Sequence, residues 1–176
     1  MSNPLPAASI ILEDRYSVGS IFLVKRAKGL KFLGGFHAFP GGKVDPPDGG
    51  IANSQDPWDI ALVAAVRELF EETGVLLCHD GLNHSIKSTP MLSQIRCDLV
   101  EKRTDFATVL RDNKWSLSHS DLYPLGYFET PHFSPIRFKT RFFLAKIPSG
   151  QTPEIFEGEL ENGVWGNASD HLKRWY

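Results

Sequence analysis

Short runs rich in apolar and β-branched residues predict the strands of this chain. They lie at Ala8–Leu12, Ser20–Arg26, Leu122–Glu129 and Thr140–Ile147, with a shorter one at Val75–Cys78. Longer runs predict helices at Trp58–Thr73, Pro90–Lys102, Asp105–Asp112 and Ala168–Tyr176. A segment rich in glycine and proline, residues 29–50, precedes the first helix. Glycine allows close backbone approach, so this segment is predicted to form a functional loop system.

The helix at Trp58–Thr73 carries signals at both of its ends. Asp56 is a typical N-cap residue, and Pro57 suits the first helical position. Asp59 falls in the first turn, where a carboxylate interacts favourably with the helix dipole. Gly74 fits the left-handed position that ends many helices. The helix is therefore predicted to end at Thr73.

Three glutamates, Glu68, Glu71 and Glu72, project from one face of this helix, because residues three and four apart are neighbours. Carboxylates at this density repel one another unless a cation lies among them. Hard divalent ions such as Mg²⁺ and Mn²⁺ prefer oxygen ligands, and Arg67 is placed to hold Glu71 by charge-assisted bonds. The pattern therefore indicates a metal site, although a solvated helix face with ordinary charge pairs has the same sequence signature.

Composition narrows the class of protein. The 176 residues, with 19 basic and 21 acidic side chains and a net charge of −2, fit a single globular domain, residues 1–176. We expect residues 1–7 to be a flexible tail and the C-terminus to be truncated. The nearly neutral charge gives no case for duplex nucleic acid or an anionic membrane as a partner. Cys78 and Cys97 lack metal-ligand spacing and are expected to be reduced thiols in a cytoplasmic protein.

The run "RELFEETGV" resembles the second half of the Nudix box, whose pattern is G-x5-E-x7-R-E-U-x-E-E-x-G-U with U a bulky aliphatic residue. The matching residues are Arg67, Glu68, Leu69, Glu71, Glu72, Gly74 and Val75. In the first half Gly42 matches the glycine, Asp48 stands where glutamate is usual, and an insertion must loop out before the helix. An alternative alignment places Asp59 and Asn53 at these two positions, but "FPGGK" favours the first.

The resemblance to the Nudix family implies an α/β fold, the Nudix α/β/α sandwich with a mixed β-sheet, and the predicted elements agree with it. It implies metal-dependent hydrolysis of a nucleoside diphosphate linked to another moiety. Catalytic roles fall to Arg67, Glu68 and Glu71, and metal ligation falls to Glu68, Glu71 and Glu72. Gly41 and Gly42 are expected at the substrate, with the Gly41 carbonyl also near the metal.

The segment "FLVKRAKGLKFLGGFHAFPGG" resembles the motif that precedes the box in coenzyme A diphosphatases of this superfamily. The matching residues are Leu23, Arg26, Ala27, Gly35, Phe39, Pro40, Gly41 and Gly42. Lys31 replaces a second arginine, and we expect Arg26 and Lys31 to bind substrate phosphates. Coenzyme A or its acyl derivatives are thus candidate substrates, and ADP-ribose, nucleotide sugars and dinucleotides are the alternatives.

The resemblance also predicts an additional acidic metal ligand after a late strand. Of the glutamates in "EIFEGELENGVW", we assign this role to Glu159, although a solvated acidic loop fits equally well. A homodimer is possible, as for many Nudix enzymes. A non-catalytic Nudix module that binds a nucleotide, and an interaction protein with an incidental acidic helix, remain as competing functions.

Overall fold

The computed structural model describes residues 3–30, 33–156 and 158–173. Its strands are β1 Leu5–Glu13, β2 Ser20–Arg26, β3 His37–Ala38, β4 Gly41–Lys43, β5 Cys78–His79, β6 Ser116–Leu117, β7 Tyr123–Glu129, β8 Phe138–Lys146 and β9 Leu160–Asn167. Its helices are α1 Asp48–Ile51, α2 Pro57–Thr73, α3 Pro90–Val100, α4 Phe106–Asn113 and α5 Ala168–Lys173, with a 3-10 turn at His119–Asp121.

The main sheet is mixed, which confirms the predicted α/β class. Strands β3, β2, β1, β8 and β7 lie side by side, while β4 also pairs with β1 and β9 with β2. Strand β1 runs parallel to β8 over its whole length, and its other pairings are antiparallel. A small second sheet joins β5 to β6. A parallel pair of this kind needs a long crossover, and α2, α3 and α4 lie within it.

Strands β1 and β2 separate after a short contact and leave a fork in the sheet. They pair only at Leu12 with Phe22 and at Glu13 with Ile21. Beyond this point β4 pairs with β1, and β3 pairs with β2. The glycine-rich segment that carries β3 and β4 therefore fills the fork, with its backbone next to both strands.

Helix α2 packs against β1 and β4 and begins and ends as its sequence predicts. The Asp56 side chain accepts a hydrogen bond from the Trp58 N–H, and Pro57 is the first helical residue. Gly74 has a φ of +72° and its N–H bonds to the Phe70 carbonyl, which closes the last turn. The apolar side chains of α2, from Ala61 to Phe70, are almost all fully buried.

Other predictions are wrong or incomplete at strand boundaries. Residues 5–7 of the expected tail belong to β1, where they pair with Phe138–Thr140. Strand β9 lies in a segment for which no strand was predicted. Of the short strand expected at Val75–Cys78, only Cys78 forms a pair, and residues 174–176 of the last predicted helix lie outside the described residues. Among the described helices, none has the length and apolar character to cross a bilayer.

Candidate active site

The glutamate face of α2 packs directly against the Gly41–Gly42 backbone. The Gly41 N–H donates a 2.9 Å hydrogen bond to Glu72 Oε2. A Cβ atom on Gly42 would overlap the carboxyl group of Glu68, and one on Gly41 would overlap the carbonyl oxygen of Ala8. Both positions therefore need glycine, because only a bare backbone lets β1, β4 and the glutamates approach this closely.

Arg67 is buried beneath the glutamates and holds two of them. Its Nη1 donates to Glu68 Oε1 at 3.0 Å and to Glu71 Oε1 at 3.3 Å. Its Nε and Nη2 form a bidentate pair with the Asp48 carboxylate at 2.9 and 3.0 Å, and Nη2 also donates to the Lys43 carbonyl. One planar guanidinium thus fixes the positions of both carboxylates relative to β4.

Asp48 is the residue that pairs with Arg67 across the insertion. Its side chain is 1% exposed and also accepts a bond from the Asp45 N–H at 2.8 Å. Asp59, its alternative in the alignment, instead accepts a bond from the Ser54 hydroxyl near the surface. The geometry therefore supports the alignment that places Gly42 and Asp48 in the first half of the box.

The glutamates lie in surroundings that disfavour their charged forms. Burial raises the pKa of Glu68 to about 7 and that of Glu72 to about 8, and it raises the pKa of Glu71 despite the opposing charge of Arg67. Burial alone would lower the pKa of Arg67, but its hydrogen bond to Asp48 and the three surrounding carboxylates raise it. The cluster holds more negative charge than its one arginine offsets.

A cleft of about 300 Å³ opens beside Glu72 and Gly41. Its other walls come from β1, β2, β8 and the glycine-rich segment: Ser9, Val24, Arg26, Leu33, Ala38, Phe39, Thr140 and Phe142. The Arg26 Nε is buried with no hydrogen-bond partner among the described residues. The arginine predicted to bind substrate therefore lines the cleft with an unused donor.

Of the other predicted site residues, Glu159 lies near Glu72, while Lys31 is not among the described residues. Glu159 directly precedes β9, where its carbonyl accepts from the Ala27 N–H, and its charge raises the pKa of Glu72. Glu161 instead forms an ion pair with Lys25 at 2.9 Å. This supports Glu159 over Glu161 as the acid near the cleft.

The donor set fits a hard divalent cation. Glu68, Glu71 and Glu72 offer carboxylate oxygens on one face, and their pKa values are raised mainly by burial, with a smaller contribution from neighbouring carboxylates. Within the described part of the chain, no group of three or more acidic, histidine or cysteine side chains is arranged so that it could hold a metal ion. Mg²⁺ needs only one or two protein carboxylates, because it keeps several waters and takes further oxygens from a phosphate.

The walls of the cleft include residues that the sequence did not single out. Ser9 and Thr140 lie on β1 and β8, whose parallel pairing places them near each other. No local motif marks either residue. Only the strand register, which depends on contacts about 130 residues apart in sequence, brings them to the site.

Replacement of Asp48 tests the pairing with Arg67. Asp48→Asn removes the charge that faces a buried guanidinium, so we expect the free energy of unfolding to fall by about 3 kcal/mol in urea titrations. Asp59→Asn is the matched control, and we expect it to change stability by less than about 0.5 kcal/mol. Equal losses in the two variants would contradict the pairing.

The raised pKa values predict how stability depends on pH. Burial raises the pKa of Glu68 from its ordinary value of 4.5 to about 7 in the folded protein, and that of Glu72 to about 8. The folded state therefore binds more protons, so the stability of the metal-free protein should fall as the pH rises from about 5 to 8.

Divalent cations compete with these protons, so the Tm increase produced by Mn²⁺ should be larger at about pH 8 than at about pH 6. Thermal melts with and without Mn²⁺ measure both trends, and Glu72→Gln should flatten them. A metal-free Tm that rises steadily up to pH 8 would contradict the assigned shifts.

Comparison with known proteins agrees with this geometry. The NUDIX domain profile matches residues 3–101. A Caenorhabditis elegans protein that carries the name nudix hydrolase 7 is 31% identical over 90% of this chain, which spans about half the length of that relative. A NUDIX hydrolase structure from Alicyclobacillus acidocaldarius is 31% identical with a TM-score of 0.88, covering 99% of this chain and 83% of the other.

A Francisella tularensis structure shares the fold at 16% identity and a TM-score of 0.53, over 99% of this chain and 37% of the other. It is described as a bifunctional NMN adenylyltransferase/ADP ribose pyrophosphatase complexed with AMP and a Mn ion. The profile covers more than half of this chain, and Arg67 and the α2 glutamates pack against the Gly41–Gly42 backbone beside the cleft, so this chain belongs to the Nudix family.

Proposed function

We propose that residues 1–176 form a single Nudix domain that hydrolyses a nucleoside-diphosphate-linked compound at its pyrophosphate, with Mg²⁺ or Mn²⁺ as the cofactor. The observation that carries the proposal is the half-buried glutamate cluster of α2, whose Glu72 lines a cleft together with Gly41. Its surplus negative charge calls for a cation, and a cation in turn attracts a diphosphate.

Each residue has a role in this proposal. The ligand set is Glu68, Glu71, Glu72 and Glu159, while Arg67 holds Glu68 and Glu71 in place. The bound ion would supply charge neutralisation and help to activate water. Glu68, with a pKa of about 7, also suits the acceptance of a proton from the attacking water. The Mn ion named for the Francisella tularensis neighbour supports this choice of cofactor.

We propose coenzyme A or an acyl derivative as the substrate. The support is the upstream motif together with the position of Arg26, whose side chain lines the cleft with a buried Nε that no described residue bonds. Phosphate oxygens are the natural acceptors for such a guanidinium. ADP-ribose, nucleotide sugars and dinucleotides share the pyrophosphate, so a substrate panel must include them.

We also propose that the protein is a homodimer and that it is located in the cytoplasm. The homodimer is supported by β7, whose Tyr123, Leu125, Tyr127 and Phe128 are all more than half exposed at the end of the sheet order. Exposed apolar patches of this kind often mark protein interfaces. The cytoplasmic location rests on the two free cysteines, Cys78 and Cys97.

Glu71→Gln tests the catalytic proposal. The amide keeps the size of the side chain but removes a charged oxygen, so kcat should fall by at least about 100-fold. The measurement is hydrolysis of a panel of diphosphates with Mg²⁺ or Mn²⁺, with products identified by mass spectrometry. Glu101→Gln, at the exposed end of α3, is the matched control and should retain activity.

The same assay separates the enzyme from its alternatives. Wild-type protein that turns over no diphosphate but binds one would be a non-catalytic Nudix module. If the Tm of the wild-type protein does not respond to Mg²⁺ or Mn²⁺, the protein is neither the enzyme nor the nucleotide-binding module. The result would then favour an interaction protein whose acidic helix is incidental.

Lys31→Ala tests the coenzyme A assignment. If Lys31 binds the ribose phosphate of coenzyme A, its removal should lower kcat/KM for coenzyme A by about tenfold or more. The value for dephospho-coenzyme A, which lacks that phosphate, should be almost unchanged. Lys28→Ala, close to Lys31 in the sequence, is the control for a general loss of positive charge. Equal losses with both substrates would refute this role for Lys31.

A further inference from the structure

Arg96 on α3 is a buried cation that contacts the last turn of α2. It is only 2% exposed and is among the largest fully buried side chains of the described residues. Its Nε donates to the Glu71 carbonyl at 3.0 Å, and its Nη1 donates to the Glu154 carbonyl at 2.9 Å. These acceptors are main-chain oxygens, and burial of a charge for such contacts is costly. Simple packing at this position needs only an apolar side chain.

The two carbonyls belong to two different segments of the chain, and each segment carries or leads to proposed ligands. Glu71 and Glu72 stand on the last turn of α2, while Glu154 begins the segment that leads to Glu159 and β9. The Arg96 guanidinium also stacks on the Phe156 ring, with 3.7 Å from its central carbon to the ring centre. Arg96 therefore joins the turn that carries two of the proposed ligands to the segment that carries a third.

Main-chain contacts reinforce this connection. The Glu154 N–H donates to the Thr73 carbonyl at 2.8 Å. Gly74 lies so close to Arg96 that a Cβ atom there would come within 3.3 Å of Nη1. Helix α2 has no basic residue in its own last turn, so Arg96 supplies the positive charge that favours the carbonyl end of a helix.

We propose that Arg96 is a positioning residue of the glutamate site: it sets the distance between Glu71 and Glu72 on α2 and Glu159 before β9. This role rests on the proposed function, because it matters only if these glutamates share a cation. Arginine suits the role because its planar, forked donors reach two carbonyls while its face stacks on a ring, and lysine offers only a point charge.

Arg96→Met should weaken Mn²⁺ binding about tenfold, as replacements of groups that orient metal ligands commonly do. Electron paramagnetic resonance of free Mn²⁺ measures the affinity without turnover. The kcat should fall while KM for the diphosphate changes little, because Arg96 does not reach the cleft. Arg96→Lys should show the same loss if the forked contacts matter, and it serves as the second variant if Arg96→Met folds poorly.

Arg137→Met is the matched control. Arg137 is 7% exposed and bonds to Glu129 and the Thr130 carbonyl in the hairpin between β7 and β8. The Arg137→Met variant should lose about as much stability as Arg96→Met but keep its Mn²⁺ affinity within about twofold of the wild-type value. In a Glu159→Gln background the effect of Arg96→Met on Mn²⁺ binding should shrink, because one of the two positioned groups is already gone.

The outcomes separate this role from the proposed function. Wild-type Mn²⁺ affinity in both Arg96→Met and Arg96→Lys would overturn the positioning role, while Glu71→Gln still tests the site itself. Full additivity with Glu159→Gln would also overturn it. A wild-type protein that binds no Mn²⁺ would overturn the proposed function and the positioning role together.

Discussion

The glutamate site depends on a single buried guanidinium, that of Arg67. It donates to Asp48, to the Lys43 carbonyl and to two glutamates of its own helix. The planar guanidinium connects α2 to the Lys43 carbonyl of β4 and to the Asp48 carboxylate. Rotation or sliding of the helix would therefore break several charged hydrogen bonds. The extra residues between Asp48 and Asp56 are tolerated because Asp48 bonds to Arg67 before them and Asp56 caps helix α2 after them. Added loop length between two fixed points costs little free energy.

The features that suit this site for a cation also weaken the metal-free fold. Glu68 and Glu72 are buried beside other carboxylates, and their raised pKa values show that the folded state resists their ionisation. Arg67 offsets only part of this repulsion. Such a cluster is stable enough because the apolar faces of α2 are almost fully buried in the core, and that burial outweighs the electrostatic cost. The fold thus presents carboxylates that gain more from a divalent ion than exposed ones would.

The sequence predicted those elements whose signals are local. Helix α2 was predicted correctly at both ends because Asp56, Pro57 and Gly74 act within one turn. Strand β9 was missed because its glycines and asparagines have low strand propensity, and it exists through its pairing with β2. Gly163 is part of that pairing, since a Cβ atom there would overlap the Phe22 ring. The start of β1 was missed for the same reason: residues 5–7 belong to a strand because β8 pairs with them from residue 5 onward.

The residues of the candidate site also fall into two groups, those that a local motif predicts and those that only tertiary contacts reveal. Arg67 and the α2 glutamates follow a spaced motif and were found from sequence, whereas Ser9, Thr140 and Arg96 reach the site through tertiary contacts. Arg96 also offsets an unfavourable electrostatic feature of the motif. Glu71 and Glu72 stand at the carbonyl end of α2, where the helix dipole disfavours negative charge. A buried cation bonded to the Glu71 carbonyl opposes that field without taking a carboxylate oxygen, and Glu72 still lines the cleft. The charge that the motif lacks is supplied by a neighbouring helix, so no pattern within the motif reveals it.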